Sequence, residues 1–208
     1  SGRITMKDWF ESLCDIVPPR RPRNLNTPQG VDQLLERALR MPLLVATEMT
    51  TTWKGSITDI LCYGYDPEKS EPLNELALSI LHDQQENTRE AYAHICRKGY
   101  VPQQPDELEA ILKTPCAQMP HELVATVQRQ GIDREIFRGS GLMLKTNEPA
   151  AVVDAAHRSG AVCLIAHPGR SDGFCCFDSD LLDEFRREIP IDGLEVYYPI
   201  HTEEQTAM

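Results

Sequence analysis

Long apolar runs are missing from this chain. No stretch approaches the roughly 18 residues that a membrane span needs, and the N-terminus carries no apolar signal-peptide core. Basic excess is missing too. Lys and Arg number 21 against 32 Asp and Glu, giving a net charge of −11 and a pI near 5.0. A chain this acidic lacks the positive field that binding to duplex nucleic acid draws on, although one or two arginines suffice to hold a single phosphate. Cys-x-x-Cys pairs are absent. The seven cysteines, at 14, 62, 96, 116, 163, 175 and 176, form no regular ladder. Their odd count and scatter argue against a secreted disulfide framework and point to a reducing, cytoplasmic setting. Histidine is absent from the first 81 residues, so that whole stretch offers no imidazole to a metal.

What remains is an ordinary globular composition, 41% hydrophobic and 25% charged over 208 residues. That length suits one medium domain, or one domain carrying an insertion. Residues 4–14 have helical apolar spacing, and the Pro- and Arg-rich stretch 17–23 reads as an extended basic loop, either solvated or a lid that attracts anions. Thr27-Pro28 starts a helix to about Arg40. Leu43–Ala46 and Ile57–Tyr65 read as strands joined by the turn Trp53-Lys54-Gly55-Ser56, a near-hairpin.

From 67 to 145 the apolar spacing is helical, with stops at Gly99 and Gly131. Thr146-Asn147-Glu148-Pro149 then starts another helix, which Gly160 ends. A strand over Val162–Ala166, a helix over Asp180–Glu188 and a strand over 193–198 follow. Thr202-Glu203-Glu204-Gln205 is a capping box opening one more helix. The order predicts an α/β core in two parts, 1–66 and 146–208, with parallel strands and an all-helical insertion at 67–145.

Candidate site residues gather at strand ends. Glu48 follows the first predicted strand, Asp59 lies in the second, and His167 ends the third within Ala166-His167-Pro168-Gly169-Arg170. His201 lies just past the fourth. The C-terminal edges of strands are where α/β folds build ligand and metal sites. His82, His94 and His157 lie on predicted helices and read as surface or satisfied residues. Cys175-Cys176 is given no role.

These segments, in order, resemble the PHP (polymerase and histidinol phosphatase) family, in particular its stand-alone phosphoesterases. Leu43 to Trp53 is similar to the segment that delivers a metal-binding glutamate. Asp59 to Pro67 is similar to the next strand, with Asp59 standing where a histidine is usual. Met119-Pro120-His121 resembles the Arg-Pro-His of the family's insertion. Ala166 to Arg170 resembles a metal-histidine segment, and Glu195 to Gln205 resembles one whose histidine lies near the substrate phosphate. Gly2 to Met6 is similar to the stretch after a Ser-Asp-Gly.

The resemblance implies a PHP-type distorted (β/α) barrel, incomplete in this chain, that hydrolyses a nucleotide or similar phosphate ester. It implies divalent metal (Mn, Zn, Fe or Mg) on Glu48, Asp59 and His167. Arg170 and His201 would act on the phosphate, and His121 would lie on the substrate side. The implied partner is a phosphorylated small molecule or an oligonucleotide end.

The departures are specific. The family's first His-x-His would precede Ser1, and its last Asp-x-His would follow Met208. Its Thr-Asp-His is replaced by Pro18-Pro19-Arg20 or Asn24-Leu25-Asn26. Three ligands are enough for one catalytic zinc but not for a multinuclear centre. Two alternatives stay open beside the enzyme. One is a catalytically degenerate module that binds a phosphorylated ligand or a protein partner. The other is a structural single-zinc site.

Overall fold

A computed structural model describes residues 45–198 and 201–207. The predicted helices at 4–14 and 28–40, the loop at 17–23 and residues 43–44 lie outside the described residues. Residues 45 onward belong to one compact unit.

Strands β1 (Ala46–Trp53) and β2 (Ser56–Tyr63) form an antiparallel hairpin in full register, Trp53 opposite Ser56 through Ala46 opposite Tyr63. Its turn has Lys54 at φ +48° and Gly55 at φ +82°. Left-handed backbone at both positions matches the twist of the flanking strands, and glycine adopts it without a steric cost. The first strand therefore runs later than Leu43–Ala46. The β-branched run Thr50-Thr51-Thr52 keeps the chain extended, and Met49, Thr51 and Trp53 alternate inward. Glu48 consequently stands inside a strand rather than after one.

Strand β3 (Val162–Ile165) pairs antiparallel with β2, and β4 (Gly193–Leu194) pairs parallel with β3. The four described strands make one open sheet in the order β1-β2-β3-β4. The expectation of parallel strands holds for β3 with β4 and is corrected for β2 with β3, while β1 and β2 pair antiparallel as the near-hairpin reading implies. A two-residue turn between β1 and β2 leaves no room for a crossover, so that pair must be antiparallel. The fourth strand is also shorter than 193–198, because the backbone leaves the sheet after Leu194.

Between β2 and β3 the described regular elements are helices joined by loops, apart from an isolated bridge between Thr51 and Asn147. Helix α1 (Glu71–Arg97) is 27 residues long, about 40 Å at 1.5 Å per residue. Helices α2 (Glu107–Leu112) and α3 (Met119–Arg129) pack on its second half, where Ala91, Tyr92, Ile95, Ile111, Leu123 and Val127 form an apolar cluster. The first half of α1 sends Leu73 and Leu76 into the other cluster, under the sheet.

The return segment to the sheet is held by two buried amides of α1. Gln84 donates to the Met143 carbonyl (3.2 Å) and accepts the Lys145 N–H (2.8 Å), while Asn87 donates to Gly141 (2.8 Å) and accepts from Met143 (3.0 Å). Asn147 then bonds the open edge of β1 through its backbone, at Thr50 and Thr52.

Helix α4 (Pro149–Arg158) covers one sheet face with Val152, Val153, Ala155 and Ala156, and its small residues let helix and sheet approach closely. Helix α5 (Ser179–Glu188) is capped by Asp178, which accepts the Leu181 N–H at 2.8 Å. It inserts Phe185 against Trp53 and Phe177, with ring centroids 5.0 and 5.6 Å apart. The Trp53 indole N–H donates to Glu188 at 2.8 Å. The last helix, α6 (Glu203–Ala207), follows the capping box at Thr202. Because Phe185 is fully buried at the meeting point of three rings, replacing it with Ala is expected to cost about 3–5 kcal/mol. Urea unfolding of both chains measures this, and a loss below about 1 kcal/mol would mean the aromatic cluster is not a keystone.

Candidate metal centre

In an antiparallel pair, directly opposed residues share a face. Thr50 opposes Asp59 and Glu48 opposes Leu61, so Glu48 and Asp59 lie on the same face, diagonal neighbours across β1 and β2. That face is the one turned away from Ile60, Cys62 and the α4 core. Glu48 is exposed, whereas Asp59 is buried at 8% relative exposure.

Strand β3 brings the imidazole. Its ladder ends where the Ala166 N–H meets the Asp59 carbonyl at 2.9 Å. Simple alternation would put residue 167 on the Ile165 face, toward the core. Instead His167 takes φ +33°, a left-handed backbone uncommon outside glycine. The ring turns to the carboxylates. Its Nε2 lies 3.3 Å from Glu48 Oε1 and 3.5 Å from Asp59 Oδ2, and the residue is 7% exposed.

The His167 amide donates to Glu195 Oε2 at 2.9 Å. Phe174 meets the ring edge-on at 4.9 Å and Tyr198 tilts against it at 5.2 Å.

Electrostatics at this point is unbalanced. Burial pushes the Asp59 carboxyl above its ordinary range, and the nearby Glu48 charge adds to the rise. The Thr50 hydroxyl and the positive charges of His167 and Arg170 oppose it. Asp59 Oδ1 and His167 Nδ1 are buried with no hydrogen-bond partner. One nitrogen and two carboxylate oxygens, all within 4.8 Å of one another, form a donor set that a divalent cation satisfies. Mixed imidazole and carboxylate donors suit zinc, manganese or iron.

The turn after His167 is braced from the far end of the chain. The Arg170 N–H closes it onto the His167 carbonyl at 3.0 Å. His201 Nε2 accepts the Gly169 N–H at 3.1 Å, and its Nδ1 faces the Val196 carbonyl at 3.2 Å. Those two partners fix the tautomer, with the proton on Nδ1. Arg170 is engaged with Asp172 through Nε and Nη2 at 2.5 and 2.8 Å, and its guanidinium stacks 4.0 Å above the Phe174 ring. A cleft of about 270 Å³ adjoins Glu48, lined by Thr50, Ala77, Ile80 and Lys145 among others.

The structure thus brings together Glu48, Asp59 and His167, and sets Arg170 and His201 on the adjoining turn. It does not bring in His121, which is exposed in the first turn of α3. Two further clusters occur among the described residues. His82, Asp83 and Glu86 are wholly exposed on α1. Asp192 holds His157 Nε2 at 2.9 Å and the Cys163 N–H at 2.7 Å, bracing the end of α4 to β3.

Phe174, Tyr198, Glu195 and Gln205 shape the site without having been singled out as site residues from sequence. Gln205 carried a signal, since it closes the capping box, but the second bond its amide makes is invisible in spacing.

No protein-family model matches the chain, and no curated protein matches it. Solved structures similar to it include the following two. One is an amidohydrolase from Chromobacterium violaceum with bound sulfate and no metal. It is 20% identical with a TM-score of 0.57, over 86% of this chain and 66% of the other. The second, from Bifidobacterium adolescentis, is described as a "putative metal-dependent phosphoesterase". It is 21% identical with a TM-score of 0.55, over 87% of this chain and 67% of the other. The chain spans about two thirds of the length of each. At these identities the likeness shows the fold alone, a mixed α/β arrangement.

The strained carboxyl has a measurable consequence. A carboxyl whose folded pKa is raised binds its proton more tightly folded than unfolded, so it penalises stability above the folded pKa. The penalty fades as pH falls through that value toward 3.8. In metal-free protein, Asp59→Asn is therefore expected to raise Tm at pH 7–8 and to lose that advantage near pH 4. Added Mn²⁺ should stabilise the parent chain and not the variant. A variant less stable than the parent at pH 8 without metal would refute this account.

Proposed function

We propose that this chain is a divalent-metal-dependent phosphoric-ester hydrolase of the PHP type, acting on a nucleotide or similar phosphate ester. The observation that carries the reading is the convergence of Glu48, Asp59 and His167 Nε2 around one point, with an orphaned carboxylate oxygen beside it. The likeness in fold to a protein described as a metal-dependent phosphoesterase supports it.

A bound divalent cation supplies Lewis-acid polarisation of a phosphoryl oxygen and a water of lowered pKa. Glu48, Asp59 and His167 hold that cation, and the two carboxylates offset its charge. Phe174 and Tyr198 wall the imidazole from bulk water, which strengthens every charge interaction at the point. Arg170 sits on the same turn with its fork on Asp172, a carboxylate that stands where a phosphate would bind. Substrate phosphate takes that fork in its place. The cleft beside Glu48 receives the esterified group. Both ring nitrogens of His201 are engaged within the chain, so its role here is to hold the turn rather than to protonate a leaving group. His121 has no part in this arrangement.

A second reading has one observation in its favour. Among the described residues only three donors meet, which suits a single cation rather than a multinuclear centre. That is the state expected of a module that binds a phosphorylated ligand without turning it over.

Calorimetric titration with Mn²⁺ and Zn²⁺, together with hydrolysis of p-nitrophenyl phosphate, tests both readings. The parent chain is expected to bind at least one cation per chain and to release phosphate. His167→Ala should weaken cation binding by more than about 100-fold, beyond the cost of losing an outer hydrogen-bond partner, and should abolish turnover. Cation binding without turnover selects the binding module. A folded parent chain that binds no cation overturns the metal reading altogether.

A further inference from the structure

Gly169 is the one residue of the His167–Arg170 turn whose N–H and C=O are both held from outside it. His201 Nε2 accepts the N–H at 3.1 Å, and Gln205 Nε2 donates to the carbonyl at 2.9 Å, where the Cys176 thiol also approaches at 3.7 Å. The packing is close as well. A Cβ on residue 169 would lie 2.7 Å from Gln205 Nε2, 2.8 Å from Gln205 Cδ and 2.9 Å from His201 Cδ2. A side chain at 169 would push the ends of Gln205 and His201 off this turn, although the backbone there is not left-handed.

Gln205 performs two tasks with one amide. Its Oε1 accepts the Thr202 N–H at 2.9 Å, and its own N–H donates to Thr202 Oγ1 at 3.1 Å, which closes the capping box of α6. Its Nε2 is left to reach Gly169. Rotating the amide by 180° would set NH₂ against an N–H and oxygen against a carbonyl, so both partners fix the same orientation. A glutamate, the usual alternative in a capping box, would serve the cap and fail the carbonyl.

We propose that Gln205 is a positioning residue. By holding the Gly169–Arg170 peptide, whose N–H closes the turn onto the His167 carbonyl, it fixes the backbone of His167 in its left-handed state and so holds Nε2 toward Glu48 and Asp59. The value of this for cation binding rests on the metal reading above, whereas the lock itself does not.

The decisive comparison is Gln205→Glu against Thr202→Val in the full chain. Gln205→Glu keeps the cap and removes the donor to Gly169. Thr202→Val weakens the cap and leaves that donor in place. Amide hydrogen exchange at Gly169 and Arg170, in metal-free protein, reads the lock directly. Exchange there is expected to quicken about 10-fold in Gln205→Glu, as for loss of one net hydrogen bond, with Tm near that of the parent. Co²⁺ affinity, followed by absorbance, should fall about 10-fold or more in the same variant.

Parent-like exchange at both amides in Gln205→Glu overturns the proposal. So does equal quickening in Thr202→Val, since that would trace the effect to α6 as a whole. If the parent chain binds no Co²⁺, the metal reading fails and the exchange comparison still decides the lock.

Discussion

The backbone of His167 is the constraint on which the site rests. A non-glycine residue at φ +33° costs on the order of 1–3 kcal/mol, and such a conformation persists only where its surroundings impose it. Here they do so from three directions. Glu195 takes the amide of His167, the Arg170 N–H closes the turn, and His201 and Gln205 hold the peptides on either side of Gly169. The effect is to break the two-residue rhythm of β3 at its last step. Without that break the imidazole would fall on the buried side of the sheet with Ile165, and the two carboxylates would face each other without a nitrogen between them.

The polarity of the two sheet faces follows from the same arrangement. One face is closed by α4 and α5 and filled with Ile60, Cys62, Cys163, Val152 and Phe185. The opposite face carries the acids. A buried carboxylate with an unpartnered oxygen does not help a protein fold. Its presence where β1, β2 and the turn after β3 bring their donors together is the observation on which the metal proposal rests. The Asp192 cluster makes the contrast, because there the carboxylate has an imidazole and a backbone N–H for partners and serves as a brace.

Much of this was legible in the residues. Lys54-Gly55 announced the hairpin turn, Gly99 and Gly131 the helix stops, and the Thr202 capping box the last helix. Those signals are local, and local chemistry decides them. The strand boundaries of β1 were misread because Leu43–Ala46 is more apolar than the threonine run that follows, yet β-branching and alternation govern the ladder. The near-hairpin reading gave the direction of β1 and β2, and the α/β order that of β3 and β4, whereas β2 and β3 were misread as parallel because nothing local sets their pairing. Glu48, Asp59 and His167 were legible as candidates, but their meeting depends on register and on one left-handed residue, neither of which composition reveals. Phe174 and Tyr198 gave no sign, being ordinary aromatics until the fold sets them beside an imidazole.

Helix α1 belongs to two apolar clusters at once, with Leu73 and Leu76 in one and Ala91, Tyr92 and Ile95 in the other. A single rod that spans two cores makes their melting one event unless the rod itself breaks, and its middle is where Gln84 and Asn87 hold the returning strand of chain. The same rod sets one wall of the cleft beside Glu48, through Ala77 and Ile80. Loosening of the distant helical cluster would therefore be felt as a change in the width of that cleft, so the stability of one end of the molecule and the shape of the other are a single property.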